Sequence, residues 1–178
     1  MFSACLTFAQ VNSNKEKNSD PVSFMSIKVA GNLSDFLQKV EAKGFNPTEE
    51  TNGENISTLK GIYLGQDADV LVLSTEKTEQ VYAVVVLLNK HNNWSTLKSD
   101  FEFLKKSYSD QYGKPEANIH HFTMPFNDVQ DEMQKVELGM CDYSCSWGSP
   151  SVSLEITKSA RIMITYENDA AFQLYAGL

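Results

Sequence analysis

The sequence predicts an α+β fold, in which one antiparallel sheet of about six strands packs against helices. Two patterns carry this prediction. Apolar residues recur at helical spacing in two long segments, and six short apolar or aromatic runs form two groups of three, with breaks of hairpin length inside each group. At 178 residues, of which 42% are hydrophobic, the chain is long enough to bury the core of a single domain.

The first helix is predicted over residues 33–43. Asn32 precedes it as an N-cap, and Gly44 stands where a left-handed residue commonly ends a helix. The apolar residues follow the i, i+3, i+4, i+7 spacing of one helix face. This stripe comprises Leu33, Phe36, Leu37 and Val40.

An exposed loop, Phe45–Thr58, which is acidic over Pro47–Glu54, is predicted to lead into an antiparallel meander of three strands. The third strand lacks polar alternation, so we expect it at the centre of the sheet, with both faces covered by helices or by a partner subunit. The strands are Leu59–Leu64, Asp69–Ser74 and Gln80–Leu88.

A second helix over residues 94–112, capped by Asn93 or Ser95, is predicted to end at Gly113. A loop through Ile119–Pro125 follows. Asn127 with Gln130 resembles a capping box, which predicts a shorter third helix that stops at Gly139.

Three more strands complete the predicted sheet, and a helical turn is expected from Asn168. The strands are Cys141–Trp147, Ser151–Thr157 and Ala160–Tyr166. The element order suggests a duplicated unit of one helix and a three-stranded meander, with repeats at 24–92 and 125–178 joined by helix 94–112. Gln38–Glu41 and Gln134–Glu137 share the tetrapeptide Gln-Lys-Val-Glu.

The first nine residues predict export. They are apolar or small, uncharged, and end in Thr7-Phe8-Ala9, a pattern that signal peptidase accepts. Two alternatives stay open: a lipobox-like stretch that would place a lipid anchor on Cys5, or an N-terminal strand of the fold. Residues 1–9 are thus read as the remainder of a signal peptide, 10–23 as a flexible linker and 24–178 as the domain. The expected location is periplasmic or extracellular.

The charge narrows the classes of partner. A net charge of −8, from 23 acidic and 15 basic residues, argues against nucleic acid, because few cations are present to neutralise phosphates. No segment approaches the roughly 20 apolar residues that span a bilayer. The remaining partners are an unknown protein or envelope component, or a second copy in a homodimer.

We predict no catalytic, cofactor-binding or metal-binding residue among the histidines and aspartates of the sequence. His120 and His121 are adjacent and point to opposite sides of an extended chain, and His91 lies in a polar turn, where surface exposure is expected. Asp67 and Asp69 flank a hairpin turn, but two carboxylates are too few for a calcium loop.

Cys141 and Cys145 are expected to be free thiols. Four residues apart on a strand, their Cα atoms lie roughly 13 Å apart, which is beyond disulfide reach. They share one face with Tyr143 and Trp147, and this face should pack inward. The other aromatics are assigned to the core, with an exposed binding platform as the alternative: Tyr63, Tyr82, Trp94, Phe101, Phe103, Tyr108, Tyr112 and Tyr166.

A family resemblance rests on six segments: Gly31–Phe36, Glu41–Phe45, Leu59–Gly61, the Val-rich third strand, Trp94 with Leu97, and Tyr112–Pro115. In these segments the chain resembles an uncharacterised family of small secreted proteins of gut bacteria. The resemblance implies a β-lactamase-inhibitor-protein-like fold, in which two helix-plus-sheet repeats form one antiparallel layer with helices packed against it. The residues used for inhibition in that class do not map onto this chain, so no inhibitor activity is implied.

Export, acidity and the lack of catalytic motifs favour a non-catalytic binding module, which would use the sheet face or the Pro47–Glu54 loop. One alternative is a periplasmic hydrolase with a site near His120 and His121. Another is a structural homo-oligomer joined through Gln80–Leu88.

Overall fold

A computed structural model describes residues 21–49, 53, 55–123, 131–148, 151–168 and 170–171. The predicted signal segment, Cys5 and residues 10–20 of the predicted linker lie outside these ranges, as do Asn127 and Gln130. The described helices are α1 (Leu33–Glu41), α2 (Trp94–Tyr112) and α3 (Glu132–Glu137). The strands are β1 (Ser23–Phe24), β2 (Ile27–Lys28), β3 (Asn46–Pro47), β4 (Ile56–Tyr63), β5 (Gln66–Ser74), β6 (Val81–Leu88), β7 (Ala117–Phe122), β8 (Cys141–Gly148), β9 (Ser151–Ile156) and β10 (Ile162–Glu167).

The α+β class is confirmed, but the described part of the main sheet has eight strands rather than about six. Their order is β3-β4-β5-β6-β10-β9-β8-β7, and every pairing is antiparallel. Two meanders, β3 to β6 and β7 to β10, therefore meet at the β6·β10 pair. A separate hairpin, β1-β2, adds a two-stranded sheet.

The capping residues show why the helices begin where they do. The Asn32 side chain accepts the backbone N–H of Ser34 at 2.9 Å, and the Asn93 side chain accepts that of Thr96 at 2.9 Å. Each bond satisfies one of the N–H groups that a helix start leaves open. Of the two caps proposed for α2, Asn93 is therefore the one used.

Strand β7 corrects the predicted loop at Ile119–Pro125. Its sequence shows no period-2 alternation, since the strand-favouring Ile119 and Phe122 are three residues apart, but all six residues pair with β8, from Ala117↔Ser146 to Phe122↔Cys141. Ladder hydrogen bonds to a neighbouring strand override weak local propensity. The chain from Phe45 to Thr58 is likewise only partly a loop, because β3 and the start of β4 pair with other strands.

Two boundaries also differ from the prediction. Helix α3 begins at Glu132, with the Asp131 side chain accepting the N–H of Gln134 at 2.8 Å, so the helix starts after the proposed capping box. The fold begins before Phe24, since Val22 is buried and its carbonyl accepts the N–H of Val29 at 2.8 Å. An apolar side chain in the core fixes this end of the predicted linker.

One core lies between the sheet and the helices. The inner face of the sheet carries Val70, Val84, Val86, Leu154 and Ile164, all fully buried. The buried side chains of all three described helices belong to the same cluster. They are Phe36, Val40, Leu97, Phe101, Leu104, Tyr108 and Val136.

Strand β6 occupies the centre of the sheet, as predicted. Its inner face is covered, but on its outer face only Ala83 is buried. Val84, Val86 and Leu88 are fully buried, whereas Val85 and Leu87 on the opposite face are partly exposed and lie outside the core cluster. Within the described ranges, no helix combines the length and apolar character needed to cross a membrane.

Candidate functional site

Three tyrosine hydroxyls meet under helix α2. Tyr63 at the end of β4 lies 2.5 Å, oxygen to oxygen, from Tyr166 of β10 and 3.2 Å from Tyr108 of α2. Tyr108 and Tyr166 also bond each other directly. Every O–H in this triangle therefore has a partner, which buried polar groups require.

Burial keeps the phenols of Tyr108 and Tyr166 protonated. It raises the pKa of Tyr166 well above the usual range, and the neighbouring Tyr108 adds to the effect. The pKa of Tyr108 is raised for the same first cause, burial, with Tyr63 contributing. At neutral pH Tyr108 and Tyr166 are thus uncharged hydrogen-bonding groups.

A cavity of about 830 Å³ adjoins this triangle. Its walls come from the β1-β2 turn, the β4-β5 turn and helix α2. Leu64 and Phe103 line it and are 58% and 69% exposed, whereas the three tyrosines of the triangle line it and are buried. A fourth tyrosine of the lining, Tyr112, is partly exposed. The hydroxyl triangle is therefore the buried end of a cavity whose outer part combines apolar and polar side chains.

His120 lies between a carboxylate and an ammonium. Its Nδ1 is 3.2 Å from Glu102 Oε1, and its Nε2 is 3.2 Å from Lys105 Nζ. The ring stacks on Tyr143 at a centroid distance of 4.9 Å. Burial, with Lys105 as the next cause, lowers the pKa of His120. A neutral imidazole that donates from Nδ1 to Glu102 and accepts at Nε2 from Lys105 fits both contacts.

This geometry resembles the base and orienting acid of a catalytic dyad, but its Nε2 is already occupied by Lys105. The nearby Cys145 is a poor nucleophile, because burial raises its pKa to about 11. Three cavities lie at the tyrosine triangle, at Arg161 and at Thr75. The described residues that line them do not include His120, Glu102 or Cys145.

The other two histidines differ from each other. His121 points away from His120, as predicted, and its exposed ring lies 3.9 Å from Asp142. His91 is not the expected surface residue: its side chain is only 10% exposed, and Nε2 lies 3.0 Å from Asp100 Oδ2. The Ala160 carbonyl accepts the His91 backbone N–H at 2.9 Å. This bond holds the turn against the chain before β10, where the His91 ring is mostly covered.

Cys141 and Cys145 are free thiols on β8, as predicted. Cys145, Tyr143 and Trp147 are buried on the inner face, and Cys141 packs against the same core. Burial raises the pKa of Cys141 to about 11 as well. Both thiols therefore stay protonated at neutral pH.

Asp69 forms an ion pair rather than a cation site. It lies 2.6 Å from Arg161, the single arginine of the chain, which also donates to the carbonyls of Leu87 and Leu88 at 2.7 and 2.6 Å. The guanidinium thus joins the end of β6 to β5 and β10. No group of three or more His, Cys, Asp or Glu suited to a metal ion occurs in the described part of the chain.

The aromatic residues mostly belong to the core. Tyr63, Phe101, Tyr108, Tyr143, Trp147 and Tyr166 are buried, and Trp94 and Tyr112 pack against them. Phe103 is the exposed exception. The described part of the sheet therefore presents no exposed aromatic platform.

The outer face of the sheet, opposite the helices, presents aliphatic side chains instead. We call six of them the apolar patch; each is partly exposed and lies outside the core cluster. The registers place them side by side, with Leu71 opposite Val85 and Leu87 opposite Met163. The patch comprises Ile56, Leu71, Leu73, Val85, Leu87 and Met163.

The other half of the outer face is polar. Ser146 pairs with Ser153, Ser144 with Glu155, and Ser151 lies opposite Glu167. The apolar patch combines residues from β4, β5, β6 and β10. Alternation within each strand could not have predicted it, because the order of the strands in the sheet must also be known. Comparisons with protein-family models, with curated proteins and with solved structures found no match.

Proposed function

We propose that the protein is an exported, non-catalytic binding module that docks another protein or an envelope component through the outer face of its sheet. The observation that carries the proposal is the apolar patch. Its six side chains are contiguous across β4, β5, β6 and β10, each is partly exposed, and none belongs to the core cluster that contains the buried side chains of the described helices. Contiguous exposed apolar surface on a monomer commonly marks an interaction site.

The surroundings of the patch suit a protein partner. Lys60, Asp69 and Glu155 lie in the same cross-strand row as Leu87 and Met163, so charged groups flank the apolar centre. Protein interfaces typically combine an apolar centre with a polar rim. The export part of the proposal depends on residues 1–9 and places the partner in the periplasm or outside the cell.

The test places charge at the centre of the patch. Leu71→Asp and Val85→Asp should each abolish recovery of the partner in cross-linking pull-downs from the native envelope fraction, because an unpaired carboxylate would be buried in the interface. Ser153→Asp is the matched control on the same face outside the patch, and it should retain the partner. Circular dichroism checks that all three variants fold.

Equal recovery by the wild type and both patch variants would contradict the proposal, as would loss only in Ser153→Asp. A self-associating protein whose dimer dissociates in Val85→Asp would instead identify a second copy as the occupant. Both hydrogen-bonding edges of β6 are already paired, with β5 and β10. The homo-oligomer alternative would therefore use the face of this strand and not its edge.

The hydrolase alternative is favoured by one contact, the 3.2 Å approach of Glu102 to His120 Nδ1. For His120 to act as a base, Nε2 must first lose its contact with Lys105. The binding module requires no such rearrangement, and we prefer it for that reason.

We also propose that the two meanders are repeats within a family that has the β-lactamase-inhibitor-protein-like architecture. The support is the element order, since α1 precedes β3 to β6 and α2 precedes β7 to β10. On this view the second unit begins with α2, and the predicted boundaries at 24–92 and 125–178 shift to about 33–88 and 94–167.

A further inference from the structure

The cavity above the tyrosine triangle lies on the helix side of the sheet, away from the apolar patch. Its volume of about 830 Å³ falls within the roughly 300–1,000 Å³ of small-molecule sites. Leu64 and Phe103 are large apolar side chains that remain mostly exposed at its outer part. A bound molecule would cover both.

Two turns contribute strained residues to this cavity. Met25, Ser26 and Leu64 line it and have φ of 50°, 66° and 51°, among five non-glycine residues with positive φ in the described part of the chain. Hairpin turns of this kind usually use Asn or Gly. Larger side chains are thus held at the cavity despite an unfavourable backbone.

The hydroxyl triangle sets what the buried end can bind. Three O–H groups make three mutual contacts, so in a closed ring each oxygen donates once and accepts once. All three protons are then used, and each oxygen keeps one lone pair. The triangle can accept further hydrogen bonds but cannot donate one without opening.

The lining also sets the charge. The described residues around the cavity include no Asp, Glu, Lys, Arg or His. A charged ligand would lose its hydration without meeting an opposite charge, which is unfavourable. Exposed polar side chains at the outer part, including Ser107 and Gln111, and the partly exposed Tyr112 offer further uncharged polar contacts.

We propose that this cavity binds an uncharged small molecule with an apolar, ring-sized body and a hydrogen-bond donor directed at the hydroxyls of Tyr63, Tyr108 and Tyr166. The apolar body would contact Leu64 and Phe103, and the donor would be accepted by the triangle. The site is separate from the outer sheet face, so either proposal can fail without the other.

Indole, 1-methylindole and acetophenone are the probes. Indole has one N–H donor, 1-methylindole has the same shape without it, and acetophenone offers only an acceptor. Titrations followed by amide NMR chemical shifts should show indole binding about five-fold tighter than 1-methylindole, the effect of one hydrogen bond. The shifts should map to β1, α2 and the β4-β5 turn.

Two variants separate recognition from folding. Ser107→Trp fills the outer cavity and should abolish indole binding, whereas Ser99→Trp, at an exposed position of α2 that does not line the cavity, should not. Tyr63→Phe leaves two hydroxyls and one mutual bond, which frees one O–H. Acetophenone should then gain about five-fold relative to indole.

Equal affinity for indole and 1-methylindole would overturn the proposal, as would unchanged indole binding by Ser107→Trp. Shifts confined to the outer sheet face would do the same. Tighter binding of the anion indole-3-carboxylate than of indole would overturn the uncharged class of ligand.

Discussion

Two of the buried tyrosine hydroxyls, those of Tyr108 and Tyr166, couple stability to alkaline pH. Burial raises the pKa of Tyr108 and Tyr166 in the folded protein, so these phenols keep their protons when those of the unfolded chain ionise near pH 10. The folded state is therefore not affected below about pH 10 but loses stability as the pH rises above it. We expect tyrosinate absorbance and loss of circular dichroism to rise together in one cooperative alkaline transition.

Tyr166→Phe provides the comparison. It removes one of the two phenols whose pKa is raised, so the free energy of unfolding should fall less steeply above about pH 10. The buried O–H that loses its acceptor costs roughly 1–3 kcal/mol at neutral pH. Gradual ionisation of all tyrosines with the fold intact would show that these hydroxyls are open to solvent.

Residue-level prediction succeeded where strand alternation was sufficient. The inward face of Cys141, Tyr143, Cys145 and Trp147 followed from period-2 alternation within β8. The tyrosine triangle could not be found in this way. Its members come from β4, α2 and β10, and only the tertiary fold brings their hydroxyls together.

At the level of elements, a missing Cβ allows β4 to pack against the chain after α1. A Cβ on Gly61 would lie 2.6 Å from Cδ1 of Phe45, whose ring is buried and contacts Phe24. Gly61→Ala should therefore destabilise the protein by about 1–3 kcal/mol through overpacking. Urea unfolding measures this loss.

Gly148 supplies a matched control in β8. A Cβ there would meet the side chain of Glu116, which is exposed and free to rotate away. Gly148→Ala should thus have much the smaller effect. If both substitutions destabilise equally, the Phe45 contact is not the cause.

The elements that were predicted well contain their own signals. Helices α1 and α2 have an N-cap, an apolar stripe and a terminal glycine within one segment, and β5 and β6 are apolar runs. Strands β3 and β7 lack such signals, because pairing with β4 and β8 defines them. Sequence patterns report local preference, whereas edge strands depend on the neighbour that receives them.

At the level of the whole molecule, the sheet should be most stable at its centre. Backbone amides of β6 and β10 are flanked by strands on both sides and lie over the buried core, so they should exchange hydrogen through global unfolding. The bonded amides of β7, at one edge, should exchange faster. Native-state hydrogen exchange tests this order, and equal protection of β7 and β6 would contradict it.

The β6·β10 pair also has a consequence for assembly. It is the one pairing between described strands that are distant along the chain, since the other pairs join successive strands. Each meander can therefore form before this pair closes, and until then β6 and β10 are both open edges that match each other. An open β6 would accept β10 of another molecule with the same register, so late closure exposes the chain to exchange of whole halves between copies.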